Sequence, residues 1–134
     1  MYKAIIIPID LANPELGKKM LGLAREIGGK QCHISALYVI PDIPGYVAVE
    51  LPSGLQQEQL RQARADLKAL ADEFGADSEV HAGHAPTKIL EYAEKINADL
   101  IVIASHRPGL QDYFLGSTAA RVVRHANCAV LVDR

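Results

Sequence analysis

The sequence predicts an α/β protein: an open, five-stranded parallel sheet with helices on both faces and the spatial strand order 3-2-1-4-5. Three observations carry this expectation. Short apolar runs alternate along the chain with stretches of helical periodicity. Two of the runs, Ala4–Ile7 and Leu100–Ala104, show no polar alternation, as strands covered on both faces do. A third run, Ser78–Ala82, carries Glu79 and His81 and suits a sheet edge. The 134 residues suffice for one domain, residues 1–134, with one sizeable core.

Each element has a local reason. Ala4-Ile5-Ile6-Ile7 is a β-branched strand that stops at Pro8. Asn13-Pro14 opens a helix, because Asn caps and Pro suits the first helical position. Leu16, Met20, Leu23, Ala24 and Ile27 give it an apolar stripe, and Gly28-Gly29 ends it. Ile34–Ile40 is the second strand, closed by Pro41. A loop rich in Pro and Gly is expected from Pro41 to Gly54. The helix after it shows Leu60, Ala63, Leu67, Leu70 and Phe74 on one side and stops at Gly75. After the Ser78–Ala82 strand, Pro86 leads a helix marked by Ile89, Leu90, Ala93 and Ile96. Beyond Leu100–Ala104 come a polar loop, Ser105–Tyr113, a helix carrying Ala119, Val122 and Val123, and a last strand, Cys128–Val132.

Composition excludes several classes of function. Hydrophobic residues at 49% and charged residues at 22% describe a globular chain, not a disordered one. A net charge of −2 lacks the basic excess of a nucleic-acid binder or of an anionic membrane surface partner. With 5% aromatics and no Trp, stacking platforms for single strands are not expected. No apolar run is long enough to span a bilayer, and no signal-peptide pattern opens the chain, so a cytoplasmic protein is expected. Cys32 and Cys128 make neither a disulfide framework nor a zinc spacing and read as buried thiols.

In this strand order the connections reverse between strands one and four, and ligands of open α/β sheets bind at such a point, outside the carboxyl ends of the strands. The sequence puts Pro8, Ile9 and Asp10 on one side of that point and Ser105, His106 and Arg107 on the other. Gly116-Ser117-Thr118 opens the last helix there. It reads either as a plain cap with Ser117 at the N-cap, or as a phosphate cradle of free N–H groups. Arg107 suits a polyphosphate through its fork of donors, or simply points to solvent. Asp10 suits an adenine amino group, a ribose hydroxyl or a phosphate-bound metal, or else the turn into the first helix. His81 and His84 are spaced like a metal pair but have no third ligand nearby. There is no GxSxG elbow and no GxxxxGK[ST] loop, and strand one ends with a single Asp, where a receiver domain needs an acidic cluster.

These residues resemble the universal stress proteins, and most nearly their F- and G-type, ATP-binding branch. The resemblance is carried by Ile7-Pro8-Ile9-Asp10, by Leu37-Tyr38-Val39-Ile40, by Ala104-Ser105-His106-Arg107-Pro108-Gly109 and by Leu115-Gly116-Ser117-Thr118. Val122-Val123-Arg124-His125-Ala126 and Val130-Leu131-Val132 extend it, so that it covers essentially the whole chain. The family's G-x2-G-x9-G-[S/T] pattern is altered here. Ala104 stands at the first glycine and Arg107-Pro108 at the second, and the loop is one residue shorter.

The resemblance implies an ATP-binding regulatory protein of the stress response, with AMP or ADP as possible competitors and slow or no hydrolysis. It implies that Pro8, Ile9 and Asp10 line the adenosine side, and that Val39 meets adenine. Ala104 then lies under the ribose and α-phosphate. Ser105, His106, Arg107 and Gly109 wrap the phosphates, and Gly116, Ser117 and Thr118 cradle them. A magnesium ion would ride on the phosphates. No catalytic residue and no protein-held metal are expected. Strand Ala129–Val132 contains nothing that protects an edge, and family members commonly dimerise along it, some forming tetramers. The alternatives are a nucleotide-free dimeric interaction module and a weak ATPase or nucleotidyl transferase.

Overall fold

The computed structural model describes residues 1–41, 53–105 and 115–134. Five strands, β1 (Ala4–Pro8), β2 (His33–Ile40), β3 (Asp77–Ala82), β4 (Leu100–Ala104) and β5 (Ala129–Asp133), form one sheet. Their order is β3-β2-β1-β4-β5, and every pairing is parallel. Among the described residues, four helices alternate with them: α1 (Pro14–Gly28), α2 (Ser53–Asp72), α3 (Ala85–Lys95) and α4 (Ser117–His125). The expected order, with β1 central and β3 and β5 at the edges, is the observed one.

Alternation along each strand divides the core in two. Ile5 and Ile7 of β1, Ile34 and Ala36 of β2, and Leu100 and Val102 of β4 meet Met20, Leu21 and Ala24 of α1 and Leu67, Leu70 and Ala71 of α2. Ile6, Leu37, Ile101 and Ile103 point to the opposite face, against Ile89, Tyr92 and Ala93 of α3 and Ala119 and Val122 of α4. This is why β1 and β4 read as unbroken apolar runs: both of their faces are covered. Each fully buried Ile or Leu contributes about 1.5–3 kcal/mol of transfer free energy.

One expected helix boundary moves. Helix α2 starts at Ser53 and so takes in Gly54, which the Pro/Gly signal had assigned to the preceding loop. The other residues of that loop beyond Pro41 lie outside the described residues. Cys32 is buried, but Cys128 is only half-buried, because β5 beside it is an edge. Both thiols are free, and burial, aided by the Asp99 charge, pushes both up from the usual cysteine range.

The amino ends of the strands are tied together by charge. Asp99, just before β4, accepts the N–H groups of Lys3 at 2.8 Å and Ala4 at 3.0 Å. Burial alone would raise its carboxyl, but these N–H bonds and the nearby Lys3 outweigh it and hold the group below the usual carboxylate value. The Arg25 guanidinium donates to the carbonyls of Gly29, Lys30, Cys32, Phe74 and Gly75, at 2.8 to 3.4 Å. One side chain thereby closes the carboxyl ends of both α1 and α2, where orphan carbonyls favour a cation.

Candidate functional site

The carboxyl ends of β1, β2 and β4 open into a cavity of about 490 Å³. That lies within the roughly 300–1,000 Å³ of ordinary small-molecule sites. Pro8, Ile9, Asp10, Val39, Ala104, Ser105, Gly116, Ser117 and Thr118 all line it, so the structure brings these sequence-selected residues together. His106, Arg107 and Gly109 lie outside the described residues.

The wall from β1 is a turn. The Ile9 N–H donates to the Leu37 carbonyl at 2.8 Å, which continues the β1–β2 pairing beyond Pro8. Asp10 then accepts the Ala12 N–H on its carboxylate at 3.0 Å and the Asn13 N–H on its carbonyl at 3.0 Å. Asn13 in turn caps α1 by accepting the Leu16 N–H at 3.4 Å. Asp10 is thus a turn former for α1 and a cavity residue at once; the two readings of the sequence do not exclude each other.

The wall from β4 is a backbone junction. Ser105 is 4% exposed. Its N–H donates to the Asp133 carbonyl at 2.8 Å, and its own carbonyl accepts the Gly116 N–H at 2.6 Å. Gly116 is the N-cap of α4, and its carbonyl accepts the Ala120 N–H at 2.8 Å. This corrects the expected cap: Ser117 is the first helical residue, and no side chain caps the helix. Among the described residues, no backbone carbonyl meets the N–H groups of Ser117, Thr118 and Ala119. First-turn amides of this kind, at the positive end of the helix dipole, attract anions. Gly116 has φ −58° and ψ 153°, values open to any residue. Its backbone conformation therefore does not require glycine.

The far wall was not legible in the sequence. Leu16, Gly17 and Met20 of α1, Leu37, Tyr38 and Pro41 at the end of β2, Ala85 and Ile89 of α3, Ile103 and Ala119 complete the lining. Most of these side chains also serve the core, so their periodicity announced only a core. Gly17 did carry a signal, as a glycine in mid-helix. A Cβ there would stand 3.1 Å from Leu70 Cδ2 and 3.3 Å from Ile9 Cγ2, so the glycine allows α1 to sit close to β1 and α2. The turn before α3 uses Gly83 at φ +142°, and its N–H donates to the Ile40 carbonyl at 2.9 Å, which sets the start of α3 beside β2.

His81 and His84 serve local structure. His84 Nδ1 lies 2.9 Å from Thr87 Oγ1 at the start of α3, and His81 packs edge-on against Tyr92 with centroids 5.5 Å apart. Burial pushes the Tyr92 phenol up to about 12, and the nearby Glu79 charge adds to the rise. His33, Ser35 and Asp77 look like a catalytic trio, but one nitrogen, His33 Nε2, faces both Ser35 Oγ at 3.2 Å and Asp77 Oδ2 at 3.3 Å. A proton relay needs the two different ring nitrogens, and Ser35 is fully buried. Among the described residues, no group of three or more His, Cys, Asp or Glu could hold a metal, and no helix is long and apolar enough to cross a membrane.

Fold and cavity together define a doubly wound α/β protein with a crevice at its switch point, where proteins of this architecture bind ligands. The universal stress protein family model matches residues 1–134. A universal stress protein of Methanocaldococcus jannaschii is 35% identical over 98% of this chain and 82% of its own length. Universal stress protein G of Shigella flexneri is 32% identical over the whole of both chains. The chain belongs to the universal stress protein family. Among solved structures, that of the hypothetical protein MJ0577 superposes with a TM-score of 0.79 at 24% identity, covering 98% of this chain and 95% of that one. A universal stress protein of Archaeoglobus fulgidus, solved in complex with dAMP, superposes at 0.61 with 20% identity over 99% and 98% of the two chains. Another universal stress protein, solved in complex with cAMP, gives 0.63 at 20% identity over 99% and 97%.

Proposed function

We propose that this domain is a cytoplasmic stress-response regulator that binds ATP in the crevice between β1 and β4. The observation that carries the reading is the meeting of an apolar wall and an anion-attracting helix start in one cavity of about 490 Å³. Relatives of the same fold that were solved with dAMP and cAMP support an adenine nucleotide as the occupant. In this reading Pro8, Ile9, Asp10 and Val39 hold the adenosine end, and Ala104 and Ser105 lie beneath the sugar and first phosphate. The Ser117 and Thr118 amides, reached past Gly116, take the phosphates. His106, Arg107 and Gly109 join them on the strength of the family resemblance alone. Magnesium enters with the phosphates, held by their oxygens.

ATP acts here as a ligand that favours one conformation or assembly, with at most slow turnover. The assembly we propose is a homodimer through β5, whose Val130, Leu131 and Val132 are only partly covered at the sheet edge. Heat denaturation of the purified protein, followed by analysis of the supernatant, tests the nucleotide. Adenine nucleotide approaching one per chain is expected. Protein that carries none, and whose melting temperature does not move in millimolar Mg-ATP, would contradict the reading.

A further inference from the structure

Ser105 links the crevice to the end of the last strand. Ser105 is bonded through its N–H to the Asp133 carbonyl at 2.8 Å and through its carbonyl to the Gly116 N–H at 2.6 Å. Gly116 passes the line on to Ala120 at 2.8 Å. A chain of backbone hydrogen bonds thus runs from the end of β5, across the crevice wall, into the first turn of α4. The end of β5 is itself anchored to the opposite layer of the sandwich. Asp133, which stands opposite Ala104 in the β4–β5 register, meets Lys19 Nζ of α1 at 2.9 Å. Its side chain is 23% exposed, against 57% for Asp72 in the surface pair with Lys68. Lys19 does not line the cavity.

We propose that Lys19 and Asp133 are positioning residues for the crevice: their ion pair holds the end of β5, which through Ser105 sets Gly116 and the α4 amides in the geometry that receives an anionic ligand. The inference rests on the nucleotide reading above. Coupling of this kind is reciprocal, so a ligand that prefers the ordered cradle tightens the β5 terminus by the same factor. The device links the ligand site to the sheet edge at which a second copy would pair.

The test is calorimetric titration of Mg-ATP into the nucleotide-stripped full chain, with Lys19→Met, Asp133→Asn, Lys19→Arg and the double variant, each checked for an intact melting transition. Lys19→Met and Asp133→Asn should each weaken binding about fivefold, the lower end of typical couplings. The double variant should lose no more than either alone, and Lys19→Arg should regain most of the affinity. The sign for Asp133→Asn is decisive. A plain field effect on an anionic ligand predicts tighter binding when a carboxylate is removed, and positioning predicts weaker binding. Amide exchange over residues 132–134 should slow about fivefold on adding ATP to the wild type, and not in Lys19→Met. Wild type that binds no ATP ends the nucleotide reading and this one with it. Wild type that binds, with both single variants within twofold of it, overturns only the positioning role. So does an Asp133→Asn protein that binds more tightly.

Discussion

At the amino ends of the strands, charges and backbone groups are paired off; at the carboxyl ends, first-turn amides and small residues face a cavity. Asp99 ties β1 to the start of β4, and Arg25 gathers five carbonyls from the ends of α1 and α2. The other end has Gly17, Gly116 and Ala104 around open space and a helix start without a side-chain cap. The contrast separates the two ends along the strand axis. One end satisfies its polar groups within the chain, and the other turns first-turn amides toward a cavity, where the proposed ligand would sit.

The separation can be broken at either end. The largest effect on stability is expected at Arg25. Arg25→Ala leaves the half-buried carbonyls of Cys32 and Phe74, and three exposed ones, without this donor, at a cost of about 3 kcal/mol. For a chain of this size that lowers the melting temperature by roughly ten degrees. Affinity for ATP should stay within twofold, and calorimetry on the same sample checks both. Asp99→Asn comes next, with a loss of about 1–2 kcal/mol at neutral pH. The folded carboxyl lies below its usual value of 3.8, so its stabilisation is present above that pH and is lost as pH falls through the folded value. Wild type and Asp99→Asn should therefore differ in urea titrations above the usual carboxylate value of 3.8 and converge as the pH falls through the lowered folded value. A constant difference across that window would remove Asp99 from the account.

Assembly offers a further break. Val130→Lys puts a charge on the β5 edge and should convert a wild-type dimer to monomer in sedimentation velocity, with the melting temperature little changed. The smallest effect is expected at the exposed Lys68–Asp72 pair. Lys68→Ala should change stability by no more than about 0.5 kcal/mol and leave binding unaltered, which makes it the control for the other variants.

How much of this was legible in the sequence follows from where the determining contacts lie. Strand order was legible because each strand's composition reports its own burial: Ile5-Ile6-Ile7 needs cover on both sides, and Glu79 with His81 does not. The crevice was legible at Pro8–Asp10 and Gly116–Thr118 because punctuating residues mark the strand and helix ends that meet there. What escaped depended on distant partners. Ser117 looked like a cap because Ser prefers that position, but the Ser105 carbonyl holds the Gly116 amide and sets the helix start one residue earlier. Arg25 carries no signal in the sequence, since its carbonyl partners include Phe74 and Gly75, far along the chain. Ile89 and Met20 read as core residues, which they are; their second role, as cavity wall, has no separate signature.

The most direct test of the central claim is calorimetric titration of Mg-ATP into nucleotide-stripped wild type and Gly116→Val. Valine fits the observed backbone at Gly116, with φ −58° and ψ 153°, so the fold and its melting temperature should survive. Its side chain would occupy the space before the α4 amides. The account predicts saturable binding of one nucleotide per wild-type chain and at least tenfold weaker binding by Gly116→Val, a change of about 1.4 kcal/mol. No binding by the wild type, or equal affinity in a folded Gly116→Val protein, would contradict it.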